Sequence, residues 1–142
     1  MLKGKRKLKR KNKFIFDVDG TLTPSRQAID KKFAVWFRLF CQSNDVYLVT
    51  GSDRPKTLEQ IGETIYNSCN RVYNCNGNDV WEKDINVKTN EWVLPEDAHE
   101  WLSIQLTESP FKIRTGLHFE HRPGMVNFSI VGRNANPEER KA

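Results

Sequence analysis

The most constraining feature of the sequence is the stretch of residues 14–23, which reads FIFDVDGTLT. Three apolar residues run into two carboxylates, Asp17 and Asp19, and a glycine and hydroxyl-bearing residues follow. An apolar run that ends near a glycine is typical of a buried strand. In open α/β sheets, ligands bind beyond the carboxyl ends of the strands. The stretch therefore predicts an α/β fold in which the two aspartates lie at a ligand site.

The spacing of Asp17 and Asp19 predicts a metal site. On a regular strand, residues two apart point to the same side of the sheet. Two like charges that close repel each other unless a cation or a proton lies between them. Mg2+ prefers hard oxygen ligands and is commonly held by one or two carboxylates together with substrate phosphate oxygens. Asp17 and Asp19 are therefore predicted Mg2+ ligands, and a solvated turn is the alternative.

Together with the Thr-Leu-Thr that follows, this stretch resembles motif I of the haloacid dehalogenase (HAD) superfamily of phosphotransferases. The resemblance implies that Asp17 is the nucleophile and forms an aspartyl phosphate, and that Asp19 is the general acid/base. It also implies that the Asp17 carboxylate and the Asp19 backbone carbonyl bind Mg2+. Carboxylates are known covalent nucleophiles, and a metal ion can offset the charge of an approaching phosphate.

A second buried strand is predicted at residues 45–50, followed by a turn at residues 51–55. A right-handed β-α-β crossover would bring the end of this strand beside the end of the first. A helix that begins near Pro55 would add backbone amides suited to phosphate. The turn resembles HAD motif II, in which a Ser or Thr binds the transferring phosphoryl group. Spacing does not decide between Thr50 and Ser52, and both are candidates.

Hydrophobic periodicity predicts the remaining elements. A helix capped by Ser25 or Asp30 should run to about Asn44 and turn four aromatic side chains toward the core: Phe33, Trp36, Phe37 and Phe40. The helix from Pro55 should turn Leu58, Ile61 and Ile65 inward. Farther along, the pattern predicts a strand at residues 71–75, a hairpin joining residues 80–81 to 92–94, a helix at 95–109, and an antiparallel pair at 112–120 and 125–131.

Composition restricts the class of protein. The 142 residues are enough for one domain of ordinary size, and no apolar run is long enough to predict a membrane span. The three cysteines have no metal-ligand spacing, which predicts thiols in a reducing compartment and a cytoplasmic location.

The basic character of the chain is concentrated at its start. Residues 1–13 carry eight Lys or Arg residues and no acid, whereas the net charge of the whole chain is +5. We predict a solvated, disordered tail for this segment. Contact with nucleic acid or a localisation signal is the alternative, and a nucleic-acid partner is not expected.

The second half of the sequence narrows the resemblance from the HAD superfamily to one family within it. Residues 121–133, followed by Glu138-Glu139-Arg140, are similar to the cap of eukaryotic-type phosphomannomutases, and the similarity spans about residues 14–142. It implies interconversion of mannose 6-phosphate and mannose 1-phosphate, which feeds GDP-mannose synthesis. The reaction would use Mg2+, an aspartyl phosphate and a hexose bisphosphate intermediate.

Four arginines stand at positions where this family holds the sugar phosphate: Arg26, Arg122, Arg133 and Arg140. A guanidinium stays charged and can bind phosphate through two parallel hydrogen bonds. The alternative is that these are surface arginines paired with acids such as Glu138.

The resemblance also implies an architecture, namely an α/β, HAD-like Rossmannoid parallel sheet with a partial α+β cap. The expected divisions are a basic tail at residues 1–13, the first half of the core at 14–80, and a partial cap at 81–142. The family continues well past Arg140 and supplies a further Lys and Asp residues there. This chain is therefore expected to be an N-terminal portion.

Several functions and partners remain open at this stage. A HAD sugar-phosphate phosphatase shares motif I and is one alternative to a mutase. An inactive remnant, or a split half that needs a second chain, is another. The expected partners are a hexose phosphate and either a second copy bound through the cap or a complementing C-terminal chain, with no membrane.

Overall fold

The computed structural model describes residues 12–141. The predicted basic tail lies outside the described residues apart from Asn12 and Lys13. The chain divides into two compact units, one reaching to Val87 and one beginning at Lys88. The assignment of a core to residues 14–80 and a cap to residues 81–142 stays a prediction.

The first unit is an α/β sheet. Its strands are hydrogen-bonded in sequence order: β1 (Lys13–Phe16), β2 (Asp45–Val49), β3 (Arg71–Asn74), β4 (Asp79–Glu82) and β5 (Ile85–Thr89). The first three strands are parallel and β4 is antiparallel to β3. The helices are α1 (Lys31–Ser43), α2 (Arg54–Ile61) and α3 (Glu63–Ser68). The strands predicted at residues 14–16 and 45–50 and the α/β class are thereby confirmed, but the expected burial is not: no side chain of β1 is fully buried, and in β2 only Val46 and Leu48 are.

Helix α1 begins directly after its N-terminal capping residue, Asp30. The Asp30 Oδ1 atom accepts hydrogen bonds from the backbone N–H groups of Lys32 at 3.0 Å and Phe33 at 2.9 Å. These bonds satisfy N–H groups that have no partner within the helix. Of the two predicted caps, Asp30 is therefore confirmed and Ser25 is wrong.

The aromatic residues of α1 do not all face the core. Phe37 is completely buried, and its ring lies 5.4 Å from that of Phe16 in an edge-to-face arrangement. Trp36 is 55% exposed, although it stacks on Phe33 and Phe40. Successive helical residues lie about 100° apart, so Phe37 and its neighbour cannot both point into the sheet. The prediction that Trp36 faces the core is wrong.

The helix predicted after Pro55 is two short helices. Gly62 lies between α2 and α3 with φ of 77°, which is a left-handed conformation that glycine adopts without steric cost. The Gly62 N–H closes α2 on the Leu58 carbonyl at 2.8 Å. Ile61 and Ile65 are buried on either side of the break, as predicted.

The helices of the first unit cover one face of the sheet. Apolar side chains on that face form a core with the helices, including Val46, Leu48 and Val72. On the opposite face Ile15 is 70% exposed, and Tyr47 and Tyr73 line an open groove of about 820 Å3. Successive side chains of a strand point to opposite faces, so burying one set leaves the other outside.

The hairpin after β3 uses a different second strand from the one predicted. Strand β4 turns at Lys83 and Asp84 into β5, and residues 92–94 are not in a strand. Every side chain of β5 is exposed. Its apolar residues Ile85 and Val87 alternate with polar ones but are 70% and 45% exposed.

The second unit contains α4 (Glu96–Glu108) and an antiparallel pair, β6 (Phe119–Arg122) and β7 (Met125–Phe128). The predicted helix and antiparallel pair are confirmed, but the first strand is displaced: residues 112–118 are not in a strand, and β6 shares only Phe119 and Glu120 with the prediction. Pro123 and Gly124 form the connection, and Gly124 has φ of 64°. Among residues 12–141, no helix combines the length and the apolar character needed to cross a bilayer.

Candidate active site

The carboxyl ends of the three parallel strands define the site. Asp17 follows β1 directly, Thr50 follows β2, and Cys75 follows β3. Because the strands are parallel and in register, these ends lie at the same edge of the sheet. Strand β1 ends at Phe16, so Asp17 and Asp19 lie on the loop beyond it rather than on the strand.

This loop is closed by hydrogen bonds to a single carbonyl group. The Val18 carbonyl accepts the backbone N–H groups of three residues, Thr21, Leu22 and Thr23, at 3.0–3.2 Å. Gly20 makes the turn possible with φ of 75°. The Val18 side chain is completely buried, whereas Asp17 beside it is exposed. The buried Val18 side chain thus fixes the loop to the core, while the Asp17 carboxylate stays accessible to solvent.

The Asp19 carboxylate is fixed by two short hydrogen bonds. Its Oδ1 atom accepts the backbone N–H of Arg26 at 2.7 Å and the side-chain amide Nε2 of Gln60 at 2.7 Å. Hydrogen bonds to an ionised acceptor are stronger than neutral ones. With Oδ1 committed to these donors, Oδ2 is the oxygen that can exchange a proton with a ligand. Arg26 contributes through its backbone, and its side chain is exposed.

Gln60 is a site residue that the sequence reasoning missed. It is 2% exposed, and its Nε2 atom also lies 3.4 Å from Thr23 Oγ1. Its Oε1 atom is buried and has no hydrogen-bond partner among the described residues, which costs about 1–3 kcal/mol. The available signal was its place with Thr57 and Ile61 on the buried side of α2, because a polar residue at such a position needs a partner.

The two candidate phosphate-binding hydroxyls differ in their surroundings. Thr50 Oγ1 accepts the Ser52 backbone N–H at 3.1 Å. Within residues 12–141, the Ser52 hydroxyl makes no hydrogen bond. The backbone of this turn is fixed to the end of β3, because Thr50 O accepts Asn76 N–H and Ser52 O accepts Cys75 N–H, both at 2.9 Å. Both side chains are buried.

In the second unit, two of the candidate arginines share one carboxylate. Arg122 Nη2 lies 2.8 Å from Glu120 Oε1, and Arg133 Nε lies 2.6 Å from Glu120 Oε2. Their partner is thus Glu120 and not the predicted Glu138. The sequence signal for the Glu120–Arg122 pair was its two-residue spacing, because residues two apart on a strand lie on the same face. Glu120 therefore brings two guanidinium groups together.

Burial is the largest single influence on the pKa of Glu120 and raises it. The hydrogen bonds and charges of Arg122 and Arg133 together outweigh burial, so that the pKa lies below its ordinary value of 4.5. A lowered pKa in the folded state means that the ionised carboxylate stabilises the fold above the unfolded pKa. This contribution is lost as the pH falls through the folded-state pKa.

We expect the free energy of unfolding of the wild-type chain to fall more steeply below pH 4.5 than that of Glu120→Gln. The variant has no carboxylate to protonate at this position. Urea unfolding between pH 3 and 6, followed by circular dichroism, measures the difference. Glu138→Gln is the matched control, because Glu138 has no salt bridge in the described residues. Equal slopes for the wild type and Glu120→Gln would contradict the prediction.

Arg140 binds the loop that carries Arg133. Its Nε donates to the Ala135 carbonyl at 2.9 Å, and its Nη2 donates to the carbonyls of Arg133 at 2.8 Å and Gly132 at 3.3 Å. These bonds occupy much of its guanidinium. Arg140 thus positions Arg133, in addition to any contact it makes with a ligand.

The candidate residues fall into two groups. Asp17, Asp19, Arg26, Thr50 and Ser52 belong to the first unit, where they lie in the loops beyond β1 and β2. Arg122, Arg133 and Arg140 belong to the second unit, where they lie around Glu120 and the loop after β7.

A metal site would have to use few protein ligands. Between residues 12 and 141, no group of three or more His, Cys, Asp or Glu side chains is arranged to hold a metal ion. Asp17 offers a carboxylate and Asp19 a backbone carbonyl oxygen at the same loop. This donor set fits Mg2+, which commonly takes one or two carboxylates and completes its shell with water and phosphate oxygens.

Comparison with known proteins identifies similar sequences. A family model described as eukaryotic phosphomannomutase matches residues 36–142. The phosphomannomutase of Saccharomyces cerevisiae is 31% identical over 132 residues, covering 89% of this chain and 52% of the yeast protein. That of Spinacia oleracea is 32% identical over 132 residues, covering 89% of this chain and 53% of the spinach protein. The chain thus spans about half the length of these relatives.

Comparison with solved structures supports the fold. An IMP-bound IMP-nucleotidase from Plasmodium falciparum superposes with a TM-score of 0.53 at 12% identity, covering 92% of this chain and 42% of that protein. An IMP-bound, N-terminally truncated IMP-nucleotidase from Plasmodium falciparum gives a TM-score of 0.51 at 12% identity, covering 89% of this chain and 42% of that protein. At these identities the likeness concerns the fold alone.

Proposed function

Because this chain belongs to the eukaryotic phosphomannomutase family, we propose that it takes part in the interconversion of mannose 6-phosphate and mannose 1-phosphate through an aspartyl phosphate. The observation that carries the proposal is the loop beyond β1. There Asp17 is exposed, and the Asp19 carboxylate is fixed by Arg26 N–H and Gln60. A nucleophile and a positioned acid/base are the two groups that such a transfer requires.

In the proposed reaction, a carboxylate oxygen of Asp17 attacks the phosphorus of a hexose bisphosphate. The bond between phosphorus and the sugar oxygen breaks, and Asp19 gives its proton to that oxygen. In the reverse direction a sugar hydroxyl attacks the aspartyl phosphate while Asp19 accepts the hydroxyl proton. Gln60 and the Arg26 N–H hold Asp19 Oδ1 throughout, which leaves Oδ2 for the proton.

The phosphate-binding roles follow from the hydrogen bonds of each candidate. We assign the transferring phosphoryl group to the Ser52 hydroxyl, with Thr50 fixing the backbone of its turn. We assign phosphate binding to Arg26 in the first unit and, separately, to Arg122 and Arg133 in the second unit, with Arg140 holding the loop of Arg133. Two guanidinium groups around one Glu120 carboxylate leave a net positive charge, which favours an anionic ligand.

Asp17 and Asp19 are the residues that would hold Mg2+, in keeping with the donor set at the loop. When bound, Mg2+ would offset the negative charge of the phosphate as it meets the carboxylates. We also propose a cytoplasmic location, supported by Cys41, Cys69 and Cys75, which form no disulfide among the described residues.

We further propose that the partner is a complementing C-terminal chain or segment. The support is the open face of the sheet, where Ile15 is 70% exposed beside Tyr47 and Tyr73. Exposed apolar surface of this kind marks an interaction site. The relatives are about twice as long as this chain, so their remaining half is of a size to cover that face. A homodimer through the second unit is the alternative.

The proposed function is tested by incubating the purified chain with Mg2+ and hexose 1,6-bisphosphate labelled with radioactive phosphate. We expect acid-stable, hydroxylamine-sensitive label on the chain, as for an acyl phosphate. With mannose 1-phosphate also present, a mutase yields mannose 6-phosphate without net phosphate release, whereas a phosphatase releases phosphate. Absence of label from the wild-type chain would contradict the proposal that this chain forms the aspartyl phosphate.

A further inference from the structure

Strand β1 is an edge of the five-stranded sheet and has a free side. Among residues 12–141, its only neighbouring strand is β2. The Asp45 N–H donates to the Asn12 carbonyl at 3.3 Å, so the Asn12 backbone points toward β2. Backbone groups alternate in direction along a strand, so those of Lys13 and Ile15 point toward the free side. Such an edge is a template for pairing with another strand.

The residues of this edge are self-complementary in charge. Residues 13–17 read KFIFD, with a basic residue at one end, an acidic residue at the other and three apolar residues between them. If two copies pair antiparallel with Ile15 opposite Ile15, each Lys13 lies opposite Asp17 of the second copy. All three side chains are exposed, as expected for alternate residues on one face. This register therefore joins opposite charges at both of its ends.

Exposed apolar side chains lie at the centre of this register and near it. Ile15 is 70% exposed, and the register places it against its own copy. Phe14 contacts Phe40 of α1 edge-to-face, with ring centroids 4.9 Å apart. Trp36 stacks on Phe40 at 5.4 Å and is 55% exposed. Trp36 thus adds exposed apolar surface near the edge strand, and removal of such surface from water favours association.

Strand β5 is the opposite edge of the sheet and lacks this complementarity. Its residues 85–89 read INVKT, with one basic residue and no acidic residue. Antiparallel pairing about its central Val87 would therefore bring no opposite charges together. Ile85 is 70% exposed, as Ile15 is. The two edges thus match in the exposure of an isoleucine and differ in their charge pattern, which makes β5 a control for β1.

We propose that a second copy of this chain binds at the β1 edge, with the two β1 strands antiparallel and related by a two-fold axis at Ile15. Both copies use the same patch, as a closed symmetric dimer requires. The pairing uses the edge of the sheet, whereas the proposed complementing segment would cover its open face. Each Lys13 also adds a positive charge beside Asp17 of the second copy, where a phosphate would approach. Only this last consequence rests on the proposed function.

A cysteine substitution at the axis tests the register. In Ile15→Cys the two introduced side chains would lie directly opposite each other, at a Cα–Cα distance of about 5.5 Å that a disulfide can span. We expect oxidation with copper phenanthroline to give a covalent dimer on non-reducing electrophoresis, with peptide mapping locating the bond between the introduced cysteines. Ile85→Cys is the matched control and should stay monomeric. No cross-link in Ile15→Cys, or an equal one in Ile85→Cys, would overturn the proposal.

Sedimentation velocity measures the dimer without a cross-link. We expect the mass of the wild-type chain to rise toward twice the monomer mass between ~10 and ~300 µM, because small interfaces bind weakly. Lys13→Asp sets like charges opposite each other and should raise the Kd at least about tenfold.

The double variant Lys13→Asp with Asp17→Lys restores opposite charges and should restore the dimer. A wild-type chain that stays monomeric, or a dimer that these charge changes leave unaltered, as one through the second unit would be, contradicts the proposal. Circular dichroism checks that each variant is folded, and the wild-type mass and the Ile15→Cys cross-link decide the matter where a charge variant is not. No measurement depends on activity, so the outcome is separate from that of the proposed function.

Discussion

Replacing Asp17 by asparagine is expected to abolish labelling of the chain by hexose bisphosphate, a loss of roughly 10^4-fold or more. An amide oxygen is a far weaker nucleophile than a carboxylate, and no other carboxylate follows β1 directly. The substitution preserves size and shape, and Asp17 is exposed at the surface of its loop. The fold should therefore be unchanged, and circular dichroism and the unfolding midpoint check this.

Asp45→Asn is the matched control for this experiment. It removes the same charge, but Asp45 opens β2 and so lies at the amino end of the parallel strands, away from the candidate site. Labelling of Asp45→Asn should equal that of the wild type. If Asp17→Asn kept its label, Asp17 would not be the nucleophile and the assignment of the loop would have to be abandoned.

Replacing Phe37 by alanine is expected to lower the free energy of unfolding by about 4 kcal/mol. Phe37 is completely buried, and its ring contacts those of Phe16, Phe33 and Phe40 at centroid distances of 5.4–6.2 Å. The truncation removes this buried apolar surface and leaves a cavity that the rigid strand β1 beneath it cannot fill. Urea denaturation followed by circular dichroism measures the change.

Leu39→Ala provides the comparison on the same helix. Leu39 is 52% exposed, so its truncation leaves no cavity in the core and should change the free energy of unfolding by no more than about 0.5 kcal/mol. A loss below about 1 kcal/mol for Phe37→Ala would mean that α1 does not pack on β1 as described.

Features set by neighbouring residues could be predicted from the sequence. The capping of α1 by Asp30 depends on amides two and three residues away, and the apolar runs of β1 and β2 form strands where expected. The same reasoning failed where the burial or the backbone departs from the sequence pattern. Strand β5 exposes all its side chains, and the break between α2 and α3 depends on one glycine in a region of good helical periodicity.

The residues of the candidate site also differ in whether the sequence alone could indicate them. Asp17, Asp19 and the pair Thr50 and Ser52 became candidates because each follows an apolar strand at a short and recognisable distance. Gln60 and Glu120 were missed, because the sequence shows at most an unpartnered polar residue on α2 and an acid two residues before Arg122, and it names neither partner across the fold. Gln60 meets Asp19 across 41 residues of chain. The second contact of Glu120, with Arg133, joins residues 13 positions apart and is seen only in the structure.

The hydrogen bonds around Val18 have a consequence for the order in which the site forms during folding. They join residues no more than five apart, so closing this loop costs little chain entropy and needs no distant part of the chain. The bond from Gln60 to Asp19 forms only when α2 docks, because it closes a much longer loop. The turn that presents Asp17 can therefore take shape early, while Asp19 gains its fixed orientation late. A fluctuation that releases α2 would free the Asp19 carboxylate from Gln60 and leave the loop of Asp17 intact.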